Sequence, residues 1–556
     1  MHMSGNASAV SAEGSKKRFF SGVSILSAAT LISKVIGLFY RIPLVSVIGI
    51  GGMAYFLAAN HIYITLYLIF ASGLPAAISV LVSEKRALQD HNGAVGVYRT
   101  ALSLFLLFGL LGSGTLFFFA DEIAVRIGLA GAGDSIRVIA PTLLFSSIAS
   151  AIRGYFQGCE RMLPTAVSEV IEAVSKLVFG LLGAKYAISR GYPRSVASAF
   201  AVLGVTVGVF LSMLYLVLAR ALALQREKSC RGAIEKRHLS SLLRIAAPMT
   251  FSSVLLSLTS LVDTALIPRR LLSAGFSAEE AEIAYSGYGN LALPLFHLPT
   301  SLITPISLSL VPLLASARRA GRHHDEESVT RAAIRLTALL ALPASMGLAV
   351  FSLPILRLLY PCEQAVELAA PLLTVLAVSV LLSALITVTN AMLTAYGHPG
   401  YTTVAMLLGA AVKVLAEYQL VGLPACNIFG APISSFLCQF TVCAVNFCAI
   451  FRYSASAKGI FSVLFRPFLA ALPPIMASVG IYFLLRQTPL LPPVCTLSSM
   501  LAAAIGYLFL AGRCGAIYPS DLDAIPLPRF VHGLLFAREK RPVHRSIENT
   551  TGRRSL

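Results

Sequence analysis

Apolar residues occur along this chain in long uninterrupted blocks, not in the alternating runs that are typical of a half-buried strand. A block of about 20 apolar residues lets an α-helix, rising about 1.5 Å per residue, cross a hydrocarbon core about 30 Å thick. The pattern therefore predicts an all-α integral membrane protein and argues against a membrane β-barrel. The fourteen predicted spans begin near Phe20, Gly52, Val97, Ile136, Thr165, Val196, Ser240, Ala284, Val329, Val366, Tyr401, Ile428, Phe461 and Leu491.

The distribution of basic residues predicts the orientation. Lysine and arginine gather before the first span, at Lys85 and Arg86, between Arg220 and Arg237, and in the tail from Arg529 onward, all on the same side of the predicted membrane. Cytoplasmic loops carry this excess in membrane proteins. Because the number of predicted spans is even, both termini of this multi-pass plasma-membrane protein are expected in the cytoplasm.

Composition narrows the function classes. Charged residues make up 12% of the chain and hydrophobic residues 56%, and the net charge of +19 lies in short loops and tails, which argues against a nucleic-acid partner. The nine cysteines form no CxxC pair and no Cys/His cluster, and no GxxxxGK[ST] motif is present. We therefore expect no metal site, no cofactor and no P-loop ATPase.

The two halves of the chain resemble each other. The stretch "VYRTALSLFLL" at 97–107 matches "VTRAAIRLTALL" at 329–340, and 139–158 aligns without a gap on 378–397. Internal repeats of this kind are common in secondary transporters. They predict two pseudo-symmetric six-helix lobes around a central cavity plus two C-terminal helices. The expected segments are a disordered N-terminus (1–19), a first lobe (20–226), a basic linker (227–239), a second lobe (240–453), spans thirteen and fourteen (454–514) and a basic cytoplasmic tail (515–556).

Two cations stand inside the first span. Lys34 and Arg41 are seven residues apart, which places them about 20° apart around a helix and about 10 Å apart along it. A cation in a membrane helix pairs, snorkels to the interface, or faces a watery cavity. Snorkelling remains open for Arg41, whereas Lys34 lies deeper. We predict that both face a central cavity and bind an anionic substrate.

Further charged residues lie in later spans. Arg153 reaches either the interface or the substrate, and both interpretations stay open. Glu172 with Lys176, and Lys413 with Glu417, stand four residues apart and are predicted to be structural pairs within their helices. The acids with no evident match, and hence the candidates for ion coupling, are Glu169 and Asp263.

Five segments together resemble a known family. They are "SKVIGLFYRIPLVSVIG", "ASGLPAAISVLVSE", "IRGYFQGCERMLPTAVSEVIE", "LVDTALIPRRLLSAGFSAEEA" and "LPTSLITPISLSLVPLLA". In order and spacing they are similar to the stage V sporulation protein B group of the polysaccharide exporter branch, within the multidrug/oligosaccharidyl-lipid/polysaccharide (MOP) flippase superfamily.

The resemblance implies a non-enzymatic flippase that moves undecaprenyl-pyrophosphate-linked oligosaccharide to the outer leaflet for cell-wall or spore-cortex peptidoglycan. It places Lys34 where related lipid II flippases carry an arginine, with Arg41 one residue out of step with a second. The cavity arginines of spans two and eight are replaced here by Tyr67 and by Asn290 or Pro294. The implied partners are the lipid-linked substrate, the bilayer and cell-wall synthesis proteins.

Three alternatives remain. A cation-coupled exporter of small molecules, similar to multidrug exporters, would carry acids on the first span, and this chain has none there. A polytopic glycosyltransferase would need a large outside loop with catalytic acids or histidines. A non-transporting scaffold for cell-wall synthesis would retain its function without the two cations.

Overall fold

The structure is a computed structural model that describes residues 4–71, 73–226, 236–321, 323–360, 363–453, 460–489 and 491–516. Within these ranges the chain is helical and forms no strand. Two 3₁₀ turns (Ala130–Ala132 and Asn427–Phe429) and one π-helical turn (Gly287–Ala292) separate some helices. The helices are α1 (Ser4–Ala71), α2 (Leu74–Ala87), α3 (His91–Phe118), α4 (Ala120–Arg126), α5 (Gly133–Gly158), α6 (Leu163–Ser189), α7 (Arg194–Arg226), α8 (Lys236–Ser273), α9 (Ala278–Ser286), α10 (Leu293–Arg319), α11 (His323–Val350), α12 (Ser352–Leu359), α13 (Glu363–Ala395), α14 (Pro399–Val421), α15 (Gly430–Tyr453), α16 (Ile460–Arg486) and α17 (Pro492–Arg513).

The predicted fold class is confirmed. Ten helical segments in the described part of the chain are long and apolar enough to cross a membrane. Helices α6, α8 and α10 are not among the ten, and α6 carries Glu169, Glu172 and Lys176 along its length. The figure of fourteen crossings therefore stays a prediction.

Helix α1 contains two predicted spans joined by a sharp bend. Gly49 has φ +69° and ψ 176°, a conformation that only glycine adopts easily. The chain reverses direction at Gly49. Tyr40 lies before the bend and Phe56 after it, yet the centroids of their rings are only 6.0 Å apart. We call this bend the Gly49 hairpin, and it fixes the direction in which Arg41 approaches the later helices.

The helices form two bundles. In the first bundle (α1–α7), α6 packs against α1 and α7, and α5 packs against α2, α3 and α7. In the second bundle (α8–α15), α13 packs against α10, α11 and α15, while α14 packs against α8 and α15. Helix α8 also contacts α1, α2 and α3, so it lies between the two bundles.

The bundles share an apolar core at the end of the molecule that carries the Gly49 hairpin. This cluster joins Leu44 and Leu57 of α1 to Tyr285, Leu291 and residues of α13. Away from that end, one apolar cluster lies within the second bundle, and another joins α2, α3 and α5 to Leu242 and Ala246 at the start of α8. The two bundles are therefore packed together at the hairpin end, and the start of α8 also packs against the first bundle.

Close backbone contact holds α6 against α7. A Cβ atom added to Gly204 would lie 2.2 Å from the backbone nitrogen of Gly180, and one added to Gly208 would lie 2.8 Å from the Glu172 carbonyl oxygen. Small residues four apart allow such close approach between membrane helices. The same packing sets the position of the charged residues of α6.

The C-terminal pair, α16 and α17, is attached to the second bundle through α11. Tyr507 donates a hydrogen bond of 2.9 Å to the Leu339 carbonyl, within a cluster that includes Ala470, Ile475 and Ala511. Phe465, Phe483 and Leu501 point outward and are at least 60% exposed. An apolar outer surface is what contact with lipid tails requires.

The predicted segment boundaries stay a prediction. Helix α1 begins at Ser4, so residues 4–19, predicted to be disordered, are drawn as part of the first helix. Most of the basic linker (227–235) and the tail (517–556) lie outside the described residues, and the last linker residues from Lys236 begin α8.

Candidate functional site

Arg41 lies on α1 two residues before Pro43 and faces the second bundle. Its side chain is half-buried, and it forms no ion pair or hydrogen bond with any residue in the described ranges. It is close enough to interact electrostatically with Tyr360 and with His297, both of the second bundle. Lys34 stands two turns earlier on the same helix, and its side chain lies outside the described part of the structure.

Lys176 of α6 lies against two aromatic rings of α1. Its ammonium lies 5.3 Å from the centroid of the Tyr40 ring and 5.7 Å from that of Phe56. Glu172 turns instead toward Arg153, an arginine on a neighbouring helix that offers a planar, hydrogen-bonded partner. Glu172 thus forms its ion pair with Arg153 and still interacts electrostatically with Lys176, so the structural role of the Glu172–Lys176 pair stays a prediction.

Arg153 of α5 forms hydrogen bonds with side chains of both α6 and α7. Its Nε donates to Ser168 Oγ at 3.0 Å, and its Nη2 donates to Ser212 Oγ at 2.9 Å and to Glu172 Oε2 at 3.0 Å. Tyr67 adds to the electrostatic environment of this guanidinium from α1. The structure thus brings Arg153 and Glu172 together as an internal ion pair across α5 and α6.

Glu169 links α6 to the first part of α1. Its Oε2 accepts a 2.8 Å hydrogen bond from Thr30 Oγ1. The residue lies one turn before Glu172 on the same helix, and it contributes to the electrostatic environment of Arg153. The candidate acid of the first bundle therefore adjoins the same charged region as Arg153.

A second charged site lies in the second bundle. Lys413 Nζ on α14 lies 2.6 Å from Asp263 Oδ1 on α8, and the two side chains are only 6% and 4% exposed. Lys413 also donates to the Thr259 carbonyl at 3.3 Å. Asp263 is therefore matched by a lysine from another helix, which the sequence spacing did not indicate.

Glu417 completes this site. It is fully buried, accepts a 3.4 Å hydrogen bond from Ser434 Oγ, and interacts with the carboxyl group of Asp263. Lys413 forms its ion pair with Asp263 and also interacts electrostatically with Glu417, so the structural role of the Lys413–Glu417 pair stays a prediction. We call Asp263, Lys413 and Glu417 the buried triad; Asp263 and Lys413 line a cavity of about 260 Å³ together with His297, Ser435 and Gln439.

His61 connects the two bundles near the triad. Its Nδ1 is 2.8 Å from Thr264 Oγ1, and that hydroxyl is in turn 2.9 Å from Tyr285 Oη. The hydrogen bond to Thr264 is compatible with a packing role for this histidine. Arg41, Asp263 and Lys413 all contribute to its electrostatic environment, so His61 lies between the two charged regions.

The π-helical turn in the eighth predicted span has a local cause. Pro294 cannot donate a helical hydrogen bond to the Asn290 carbonyl, and Tyr360 Oη approaches that carbonyl at 3.5 Å. The Asn290 side chain donates to the Met53 carbonyl of α1 at 3.0 Å. Asn290, in the place where the resemblance expects a cavity arginine, therefore joins the bundles.

Polar contacts at the hairpin end also cross between the bundles. Tyr55 donates a 2.6 Å hydrogen bond to Glu282 Oε1, and Arg194 Nη1 lies 3.7 Å from Glu279 Oε1. We call the hydrogen bond between Tyr55 and Glu282 the Tyr55–Glu282 contact. Glu282 is half-buried, and this partial burial raises its pKa. In the sequence, the glycine-rich stretch next to Tyr55 was the feature that could have indicated this contact, because Gly51 leaves room for the Glu282 carboxylate.

Comparisons with known proteins agree with this architecture. A family model described as polysaccharide biosynthesis protein matches residues 19–318, and the MatE model matches residues 248–418. The chain is 27% identical to lipid II flippase MurJ of Bacillus subtilis (strain 168) over 426 residues, covering 72% of this chain and 77% of the relative. It is 26% identical to stage V sporulation protein B of the same organism over 424 residues, covering 75% and 81%.

Two solved structures share the fold. A lipid II flippase MurJ in an inward closed conformation aligns with a TM-score of 0.66 at 13% identity, covering 88% of this chain and 98% of that one. An inward-facing MATE family transporter of the MOP superfamily aligns with a TM-score of 0.64 at 18% identity, covering 79% and 99%. The chain is a multi-pass membrane transporter of the flippase type, and it belongs to the polysaccharide biosynthesis protein family of the MOP flippase superfamily.

Proposed function

We propose that this protein flips an undecaprenyl-pyrophosphate-linked oligosaccharide, a peptidoglycan precursor for cell wall or spore cortex, to the outer leaflet. The observation that carries the proposal is Arg41, a half-buried cation that faces the second bundle and has no acidic partner within the described ranges. A pyrophosphate must lose water to cross the membrane, and fixed cations offset that cost. The names of the two curated relatives support the choice of cargo.

The proposed mechanism is alternating access. The bundles pack together at the hairpin end through the shared core and the Tyr55–Glu282 contact. The basic ends of the spans, such as Lys85 and Arg86 at the end of α2, support a cytoplasmic location for the opposite end under the positive-inside rule. We infer that the described state is closed toward the outside and that both termini lie in the cytoplasm.

Three residues are proposed to bind the substrate. Lys34 and Arg41 lie on one face of α1 and meet the pyrophosphate first. Arg153 is the third, with Glu172 as its partner in the resting state. A substrate anion that approached Arg153 would compete with Glu172 for the guanidinium.

The buried triad and Glu169 are the proposed sites of ion coupling. The triad contains two carboxyl groups and one ammonium, so a bound cation or proton would balance its charge. Asp263 contacts Lys413 and lines a cavity next to His297. Occupation of this site would change how α8 packs against α14, and α8 is the helix that touches both bundles.

The second candidate function is a cation-coupled exporter of small molecules. It is favoured by the MatE match over residues 248–418, which includes the whole triad. Such an exporter would lose transport of small cations when Asp263 is neutralised and would be indifferent to Arg41. A lipid flippase would instead lose transport when Arg41 is neutralised.

The test measures lipid II on the outer leaflet of cells whose own flippase is shut off. Wild type should restore exposure, and Lys34→Ala/Arg41→Ala at equal expression should not. Arg126→Ala is the matched control, since Arg126 is exposed and paired with Glu122 within one helix. Rescue by the double variant would remove the two cations from the mechanism and favour the scaffold. Failure of wild type would reject lipid II as the cargo.

A further inference from the structure

Two adjacent residues of α8 contact different parts of the molecule. Asp263 forms its ion pair with Lys413 of α14, inside the buried triad. Thr264 is fully buried, and its Oγ1 lies 2.8 Å from Nδ1 of His61, a residue of the first bundle. Successive residues of a helix point about 100° apart. One turn of α8 therefore contacts the triad with one side chain and the first bundle with the next.

The hydroxyl of Thr264 has three hydrogen-bond partners. It donates to the Ser260 carbonyl at 2.9 Å, and it lies 2.9 Å from Tyr285 Oη and 2.8 Å from His61 Nδ1. A hydroxyl has one proton to donate and two lone pairs that accept. Because the Ser260 carbonyl can only accept, all three contacts are satisfied only when Tyr285 and His61 both donate to Thr264.

This count assigns the tautomer of His61. A neutral imidazole carries its proton on one ring nitrogen, and the other nitrogen is an acceptor. Since Nδ1 must donate to Thr264, the proton of the neutral ring is on Nδ1, and Nε2 is the acceptor. The Thr264 hydroxyl thus sets both the position and the tautomer of a half-buried histidine on the opposite bundle.

A second polar contact between the same two helices lacks these properties. Thr65 Oγ1, one turn after His61, lies 3.0 Å from Ser257 Oγ. Either hydroxyl can be the donor, so this pair requires no particular protonation state. Ser257 is also six residues before Asp263 on α8. Of these two contacts, only the one at Thr264 adjoins the triad.

A displacement of α8 at Asp263 has to reach His61. The ion pair with Lys413 holds this turn of α8 against α14. Hydrogen bonds weaken steeply when their distances and angles depart from the preferred values. Thr264 must satisfy partners on three elements at once, namely its own helix, α9 and α1. A small shift of α8 cannot preserve all three contacts, so the state of the ion pair determines whether the contact with His61 persists.

We propose that Thr264 is the positioning residue that couples the buried triad to the first bundle, by holding His61 as the Nδ1–H tautomer across the bundle interface. A change of charge in the triad would move this turn of α8, release His61 and loosen the contact between the bundles. The use of this coupling in transport rests on the proposed function, whereas the hydrogen-bond count at Thr264 does not.

The tautomer is measured on the purified full-length protein by nitrogen NMR of isotope-labelled histidines, and the spectrum of His61→Gln identifies the His61 signals. Wild type should show a protonated Nδ1 and an unprotonated Nε2. Thr264→Val, which keeps the shape of the side chain and removes the hydroxyl, should abolish this preference, and Thr264→Ser should retain it. A wild-type His61 that carries its proton on Nε2 would overturn the proposal.

The coupling itself is tested with Asp263→Asn/Lys413→Met, which removes both charges of the ion pair. The fraction of His61 that is protonated on Nδ1 should fall, because α8 is no longer held against α14. Thr65→Val is the matched control, since it removes a hydrogen bond between the same two helices away from the triad, and it should leave that fraction unchanged. An unchanged His61 spectrum in the double variant would contradict the coupling.

Lipid exposure in cells measures the consequence for transport. At equal expression, Thr264→Val should reduce exposure by about tenfold, the effect of losing one buried hydrogen bond. Thr264→Ser and Thr65→Val should remain close to wild type. Exposure by Thr264→Val at the wild-type level, or an equal loss in Thr65→Val, would reject a specific role of Thr264.

The two proposals can fail separately. If wild type exposes no lipid II but removal of the ion pair still changes the tautomer of His61, the coupling stands and the cargo is a different lipid. If wild type exposes lipid II and neither Thr264→Val nor the double variant changes the tautomer, the flippase stands and the coupling falls.

Discussion

Lys413 Nζ on α14 lies 2.6 Å from Asp263 Oδ1 on α8, although the nearest acid to Lys413 in the sequence is one turn away on its own helix. Both side chains are almost completely buried. An ion pair in this setting is held by its geometry, and removing one partner leaves an uncompensated buried charge.

We therefore expect Lys413→Met to destabilise the protein by about 3 to 5 kcal/mol, because two buried carboxyl groups would lose their only described ammonium partner. Asp263→Asn/Lys413→Met should recover a large part of that loss. The measurement is the unfolding free energy of the detergent-solubilised protein. Lys185→Met is the control at an exposed position. A single variant as stable as wild type would show that the pair is not formed.

Variants of the Arg153–Glu172 pair can separate an effect on stability from an effect on transport. Arg153→Met should cost about 1 to 3 kcal/mol by leaving Glu172 without its charged hydrogen-bond partner. Arg153→Met/Glu172→Met should regain stability, yet lipid exposure should stay low if Arg153 binds substrate as proposed. Exposure at the wild-type level in the double variant, at equal expression, would make Arg153 a purely structural residue.

The contact between α6 and α7 should not tolerate a methyl group at Gly204. Because the added Cβ would meet backbone atoms of Gly180 at 2.2 to 2.3 Å, the helices must move apart. Gly204→Ala should destabilise the protein by about 1 to 3 kcal/mol, the usual cost of overpacking. Gly114→Ala is the matched control, since no atom lies within 4 Å of its added Cβ, and it should be neutral or slightly stabilising. Thermal unfolding of both variants checks this, and equal midpoints would refute the close contact.

Glu282 should make the closed hairpin end depend on pH. Partial burial raises the pKa of its carboxyl group, so the closed state binds a proton more tightly than a state in which Glu282 is solvated. Stability should therefore fall as pH rises from the ordinary value of a glutamate through the raised value, and Glu282→Gln should flatten that slope. Unfolding midpoints measured as a function of pH test it.

Glu280 serves as a control, because its pKa is shifted in the direction opposite to that of Glu282. Hydrogen bonds from the Ser277 backbone N–H and hydroxyl lower the pKa of Glu280. The stabilising contribution of Glu280 to the folded state is present above the ordinary pKa of a glutamate and is lost as pH falls through the lowered pKa. Glu280→Gln should therefore leave the slope assigned to Glu282 intact. A slope that disappears in Glu280→Gln but persists in Glu282→Gln would reject the assignment.

The fold class of this protein follows from its sequence alone. Apolar blocks of membrane-spanning length reflect the thickness of the bilayer directly, and the predicted span starts fall in or beside described helices. The resemblance of five segments also identified the superfamily. Because cations are rare inside spans, Lys34 and Arg41 stand out in the sequence as exceptional residues.

The pairing of the charges, in contrast, depends on how the helices pack. Sequence spacing favoured the partners one turn away, Glu172 with Lys176 and Lys413 with Glu417, because residues four apart lie on one face of a helix. Helix packing instead brought Arg153 to Glu172 and Asp263 to Lys413, from other helices of the bundles. Buried charges take the partner with the best geometry, and spacing along one helix carries no information about the residues that a neighbouring helix presents.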